Sequence, residues 1–96
     1  MDNHAVFIDV DGTLERRTLG IKRSPEPMIA MIRRLHEQGA PMIIWSTGGA
    51  DHARDAAEKA GIASLCAGFL PKPNILIDDT RPARWKDCKR LTPGQR

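Results

Sequence analysis

Asp9 and Asp11 stand two apart, directly after the apolar run Ala5-Val6-Phe7-Ile8, and Gly12 and Thr13 follow them. Such a run reads as a buried parallel strand. Two carboxylates spaced this way at a strand end point to the same side. They repel unless a cation or a shared proton relieves them. A hard divalent ion such as Mg²⁺, bound through oxygen, is the natural relief. Ligands of open α/β sheets sit at the carboxyl ends of the strands, so the pair is expected where chemistry occurs. Three further groups carry chemistry. Ser46 and Thr47 close the run Pro41-Met42-Ile43-Ile44-Trp45. Gly48 and Gly49 then open a helix, whose N-terminal amides suit an anion. Lys72 lies between Pro71 and Pro73, and Asp78-Asp79 end the run Asn74-Ile75-Leu76-Ile77. A carboxylate nucleophile, a second carboxylate as acid and base, a metal, and cationic or N–H donors for phosphate oxygens are the parts of phosphoryl transfer.

Strands and helices that alternate along the chain must position these groups. Residues 5–10 are expected as the first strand and 15–23 as a polar, basic loop or flap. Ser24 and Pro25 have the chemistry of an N-cap and a first helical residue. Met28, Ile29, Ile32, Leu35 and His36 then follow helical spacing, and Gly39 ends the helix. Residues 41–46 read as a second strand. A second helix starts near Asp51, turns Ala53, Ala56, Ala57 and Ala60 inward, and stops at Gly61. Ile62 to Cys66 reads as a short third strand and Asn74 to Asp78 as a fourth. A last short helix is expected within Thr80 to Leu91. The alternation predicts a compact α/β domain with a central parallel sheet of about four strands and right-handed crossovers. Its strand order is expected to be 3-2-1-4. No fifth strand follows Asp79, which leaves a sheet edge to be paired in a homodimer or covered by the tail.

Asp9-Val10-Asp11-Gly12-Thr13-Leu14 resembles the DxDGT(L) signature of the haloacid dehalogenase-like superfamily of phosphatases. The likeness continues in order: a strand ending in Ser46 resembles the second motif, Lys72 the third, and Ile77-Asp78-Asp79 the acidic fourth. It spans about residues 5–85. Four ordered motifs make it specific, and DxDGT carries most of the weight. The resemblance implies a Rossmannoid three-layer sandwich and Mg²⁺-dependent hydrolysis of phosphate monoesters. It implies Asp9 as the nucleophile that forms an aspartyl-phosphate. Asp11 would protonate the leaving oxygen and then activate water. The metal would be held by Asp9, the Asp11 carbonyl and an acid of the fourth motif, Asp79 or Asp78. Ser46, or Thr47 with a one-residue shift, would bind a phosphate oxygen, and Lys72 would neutralise Asp9 and the phosphate. Larger relatives carry a cap domain between the first and second or the second and third motifs. Neither interval here has room for one. Water exclusion and substrate selection must then come from residues 15–23, from a neighbouring subunit, or from a macromolecular substrate that needs no cover.

The chain has 96 residues, which suits one domain over 1–96, with a basic tail at about 86–96. Apolar residues make up 41% and aromatics 4%, so the core must rest on aliphatic side chains. No apolar run approaches the ~20 residues of a membrane span. Met1-Asp2-Asn3-His4 lacks the basic start of a signal peptide. Cys66 and Cys88 lack metal-ligand spacing and read as reduced thiols of a cytoplasmic protein. Trp45 reads as core, His36 and His52 as structural or surface residues, and Trp85 as a helix staple or a pocket rim. The net charge of +3 is uneven. Arg16, Arg17, Lys22 and Arg23 form one basic cluster. Residues 81–96 hold six basic side chains against the single acid Asp87. Such clusters steer anionic partners, nucleic acid included. Two alternatives to a small-molecule phosphatase are therefore kept open: a phosphatase of nucleic-acid or nucleotide ends, and a non-catalytic binding module.

Overall fold

In the computed structural model the described residues are 4–81, 84–85 and 88–91, with the side chains of Thr18 and Lys22 left aside. They form strands β1 (Val6–Asp9), β2 (Arg16–Thr18), β3 (Ile21–Arg23), β4 (Met42–Ser46) and β5 (Gly68–Pro71). The helices are α1 (Glu26–Glu37) and α2 (Ala50–Lys59), with a 3₁₀ turn over Ala63–Leu65. The chain is thus a small α/β protein with a three-stranded parallel sheet and two helices.

The sheet order is β1-β4-β5. Parallel register sets Val6, Ile8 and Asp9 beside Met42, Ile44 and Trp45, and Ile44, Trp45 and Ser46 beside Phe69, Leu70 and Pro71. Side chains alternate between the two faces of a strand, and here the faces differ sharply. One face carries Ile8, Met42 and Ile44, all buried. Met28 and Ile32 of α1 and Ala53, Ala56 and Ala57 of α2 join it in a single core. The alanine stripe lets α2 lie close to β4 and β5, as the helical spacing predicted. The other face carries Phe7, Ile43, Trp45 and Leu70. None of these belongs to the core cluster, and Phe7 and Leu70 are exposed. Among the described residues the sandwich therefore has two layers, where the resemblance implied three. Among the described residues no helix is long and apolar enough to cross a membrane.

Three expectations about elements need correction. Residues 62–66 do not form a strand. The Ile62 N–H closes on the Ala57 carbonyl and the Cys66 N–H on that of Ala63, so local bonds wind this stretch into the 3₁₀ turn. Pairing begins only when the Ala67 N–H reaches the Met42 carbonyl, and the third sheet strand is Gly68–Pro71. Residues 74–78 do not form the fourth strand. Pro71 and Pro73 cannot donate to a ladder. Asp78 bonds the Thr80 N–H at 2.9 Å, a local alternative to pairing. The third correction concerns α1, whose N-cap is Pro25 rather than Ser24. It has extended dihedrals, and the cap lacks a side-chain hydrogen bond. The start of α2 near Asp51 is as expected: Gly49 at φ 103° is its N-cap, and Asp51 falls in the first turn, where the helix dipole favours it. The helix expected within Thr80 to Leu91 and the tail at 86–96 fall partly outside the described residues.

The flap over 15–23 is a hairpin. β2 and β3 pair antiparallel through a two-residue turn, Leu19 at φ 53° and Gly20 at φ 78°. Both central residues have positive φ, the geometry that matches the strand twist in a short hairpin. Leucine adopts this region at a cost of roughly 1–2 kcal/mol. The Leu19 side chain is almost wholly exposed at the tip.

Candidate active site

Asp9 is the last residue of β1, and the next five residues turn tightly beneath it. The Thr13 and Glu15 N–H groups bond the Val10 carbonyl, the Leu14 N–H bonds that of Asp9, and Gly12 donates to Glu15. Gly12 has φ 87°, a left-handed conformation that glycine adopts without a steric cost. Val10 and Leu14 are fully buried and anchor the turn in the core. Asp9 and Asp11 are therefore presented from a fixed backbone.

The Asp9 carboxylate is engaged on both oxygens. Lys72 Nζ lies 3.0 Å from Oδ1, and the Thr13 hydroxyl donates to Oδ2 at 3.2 Å. Both members of the ion pair are about one-third exposed. A pair so open to water contributes at most about 1 kcal/mol to stability. Its value is positional. The Lys72 N–H bonds the Ser46 carbonyl at 2.8 Å, which fixes the residue just past β5. Its side chain then crosses β4, with Nζ 5.9 Å above the Trp45 ring, to reach Asp9 on β1. Phe7 meets that same ring edge-on at 4.9 Å. Trp45, expected in the core, lies outside the core cluster on the open face of the sheet and forms the floor beneath the ion pair.

The turn after β4 holds a different arrangement from the one expected. Ser46 is fully buried. Its hydroxyl oxygen accepts the Gly48 N–H at 3.0 Å, and its carbonyl accepts the Gly49 N–H at 3.1 Å. Both glycine amides, expected as donors to an anion, are thereby used inside the turn. The exposed hydroxyl on this turn is that of Thr47. The buried Ser46 sets the turn's shape, because a backbone N–H without a partner in such a place is costly.

Asp11 meets a side chain that its motif does not contain. His52 Nε2 lies 3.4 Å from Asp11 Oδ1. A Cβ at position 48 would meet the His52 ring at 3.1 Å, so Gly48 leaves space for it. The one signal of this approach in the chain is positional: His52 sits in the first turn of the helix that follows β4, at the end of the sheet where Asp11 lies.

Asp78 and Asp79 are exposed, and their hydrogen bonds are local. Asp78 accepts from the Thr80 N–H and Asp79 from the Thr80 hydroxyl at 3.1 Å. The Thr80 amide, helped by Asp79 and the Trp85 ring N–H, holds the Asp78 carboxyl below the usual carboxylate range. Asp9 and Asp11 thus meet Lys72, Thr13 and His52, and neither makes a described contact with Asp78 or Asp79. Among the described residues no three carboxylate, histidine or cysteine side chains stand close enough to hold a metal ion. The side chains implied for Mg²⁺, Asp9 together with Asp79 or Asp78 beside the Asp11 carbonyl, make no described contact with one another. The two thiols are free. Cys66 donates to the Ile62 carbonyl and burial pushes its thiol up, while Cys88 is exposed. Comparison with protein-family models, with curated proteins and with solved structures finds no match to this chain.

Proposed function

We propose that the protein is a phosphatase of the haloacid dehalogenase-like type, which hydrolyses phosphate monoesters through Asp9. The observation that carries this reading is the Asp9 carboxylate itself. It stands at a strand end on a fixed turn, one-third exposed, with a lysine ammonium and a threonine hydroxyl on its two oxygens. An accessible carboxylate with a cation beside it can attack an anionic phosphorus centre that a bare carboxylate would repel.

Asp9 attacks phosphorus, the bond to the ester oxygen breaks, and the phosphoryl group passes to Asp9. Asp11 in its protonated form gives its proton to the departing oxygen. It then takes a proton from the water that attacks the phosphoenzyme, releasing phosphate and restoring Asp9. Lys72 offsets the charge on the transferring oxygens, and the Thr47 hydroxyl is the accessible donor on the adjoining turn. His52 holds the Asp11 carboxylate at this end of the sheet.

The test is hydrolysis of p-nitrophenyl phosphate by the full chain and by Asp9→Asn, with and without Mg²⁺. Wild type turns over and the variant loses at least about 10³-fold in kcat, the scale on which removing a covalent nucleophile acts. Equal rates in the two proteins would end the reading. The alternative of a phosphate-binding module without turnover draws on one observation, the lack of a three-ligand metal cluster among the described residues. Binding of inorganic phosphate with no hydrolysis in either protein would favour it.

A further inference from the structure

The β2–β3 hairpin sets like charges opposite one another. Its register pairs Arg16 with Arg23 and Arg17 with Lys22. Like charges directly opposite on antiparallel strands destabilise the pair. Arg17 finds a neutral partner, donating to the Gly20 carbonyl at 3.0 Å. Among the described residues the side chains of Arg16 and Arg23 have no hydrogen-bond or ion-pair partner, although Glu15 and Glu26 are near in the chain. Arg16 and Arg23 thus stand at opposed positions with no described counter-charge, and an anion from outside would offset both.

The anion's place is defined by two grooves that share Arg16. One, of about 280 Å³, runs from Asp11 and Gly12 past Glu15 to Arg16 and Arg17. The other, of about 490 Å³, is lined by Arg16, Arg23, Ser24, Pro25 and Glu26. The path therefore starts at Asp11, two residues from Asp9, and ends where Arg16 stands opposite Arg23, with Glu15 and Glu26 also in its walls. A small phosphate monoester has one anionic group, which Asp9 and Lys72 engage, and nothing to offer Arg16 and Arg23. A substrate with further phosphates along an extended backbone fills both.

We infer that the β2–β3 hairpin binds the phosphodiester backbone of a single-stranded nucleic acid whose terminal phosphate lies at Asp9, an inference that rests on the phosphatase reading for that terminal group. Guanidinium groups match phosphate geometry through paired N–H donors. Regularly spaced phosphates meet successive cations along a groove, as in other single-strand binders. The apolar Leu19 at the exposed tip offers a surface for a base face. A phosphopeptide carries its phosphates irregularly and gives the facing pair no second phosphate at a fixed distance.

Binding is measured by fluorescence anisotropy with a labelled oligothymidylate of roughly ten nucleotides, a length suited to one such groove. It is compared in the full chain and in Arg23→Glu. This substitution turns the facing like-charge pair into an opposite-charge pair, so the thermal midpoint of the variant stays level or rises. Its dissociation constant for the oligonucleotide rises at least tenfold. The slope of log affinity against log salt flattens by about 0.7 for each phosphate that the variant no longer neutralises. With a terminally phosphorylated oligonucleotide, the ratio of its kcat/KM to that of p-nitrophenyl phosphate falls about tenfold in the variant. An unchanged dissociation constant and salt slope would overturn the inference. So would equally tight, Arg23-dependent binding of a phosphoserine peptide of the same charge, which assigns the hairpin to phosphoproteins. Failure of wild type to hydrolyse p-nitrophenyl phosphate strikes the phosphatase reading alone, because the anisotropy comparison still decides whether the hairpin binds nucleic acid.

Discussion

Asp9 and Asp78 each follow an apolar stretch, Val6-Phe7-Ile8 in one case and Ile75-Leu76-Ile77 in the other, and each is followed by a second aspartate within two residues. Their surroundings in the fold are opposite. Ile8 is buried and pairs with Ile44, and the turn after Asp9 is pinned by the fully buried Val10 and Leu14. Ile75 and Ile77 are 82% and 95% exposed, and Asp78 is satisfied by an amide two residues on. Asp9 instead meets a lysine 63 positions away, placed there by β5 and the carbonyl of Ser46. The contrast shows that a carboxylate gains a chemical role from what the sheet brings to it. An apolar run before it gives only a chance of entering that sheet.

Substitutions that should act on one region and spare the other break or sharpen this contrast. The largest difference is expected in turnover. Asp9→Asn abolishes it, whereas Asp78→Asn leaves kcat for p-nitrophenyl phosphate within about twofold, since its only described partners are local. A comparable loss in both variants would mean that the two regions act as one site. Lys72→Ala comes next. Removing one donor to a charged transition state costs about 10²–10³ in kcat. Arg in its place restores part of the rate, because charge is kept while reach and shape change. If Lys72→Ala retains full activity, the Asp9 ion pair is merely structural.

Stability separates the regions by a smaller margin. Leu14→Ala empties a fully buried position and destabilises the fold by about 2–5 kcal/mol in urea titration. Ile77→Ala changes it by no more than about 0.5 kcal/mol, the usual range for an exposed site. A cost for Ile77→Ala that rivals the Leu14 value would show residues 74–78 packed in solution. The smallest effect is the pH dependence of Asp78. Its carboxyl is lowered in the fold, so any stability it lends is present above the unfolded value, about 3.9. That contribution is lost as pH falls through the folded value. Asp78→Asn should lower the urea midpoint slightly at neutral pH and match wild type at acid pH, which flattens the acid limb. A difference that persists at acid pH would mean that the side chain acts through something other than its charge.

Much of the local structure was legible. The continuous apolar run from Met42 to Trp45, the i, i+3, i+4 spacing of α1 and the alanine stripe of α2 each give one decisive signal, so their elements formed where expected. Short runs without a decisive period were not legible. Ala63-Ser64-Leu65 and Gly68-Phe69-Leu70 are both brief and bounded by turn residues. Backbone closure onto Ala57 and Ala63 settled which of the two became helical. For Ile75-Leu76-Ile77 the composition favours a strand, yet a strand exists only with a partner, and flanking prolines and the Asp78 turn compete. At the candidate site, the residue types were legible while their company was not. Burial of Ser46 with the closure of both glycine amides, the His52–Asp11 approach and the reach of Lys72 across Trp45 join groups far apart in the chain.

From its residues alone, this chain determined two helices, two core strands, and a carboxylate pair on a glycine turn, because these depend on neighbours within a few positions. The tertiary structure decided which strand brings Lys72 to Asp9, which face of the sheet stays open, and which aspartates stand apart. Those outcomes depend on competition between distant segments for the same sheet edges, hydrogen-bond donors and buried volume.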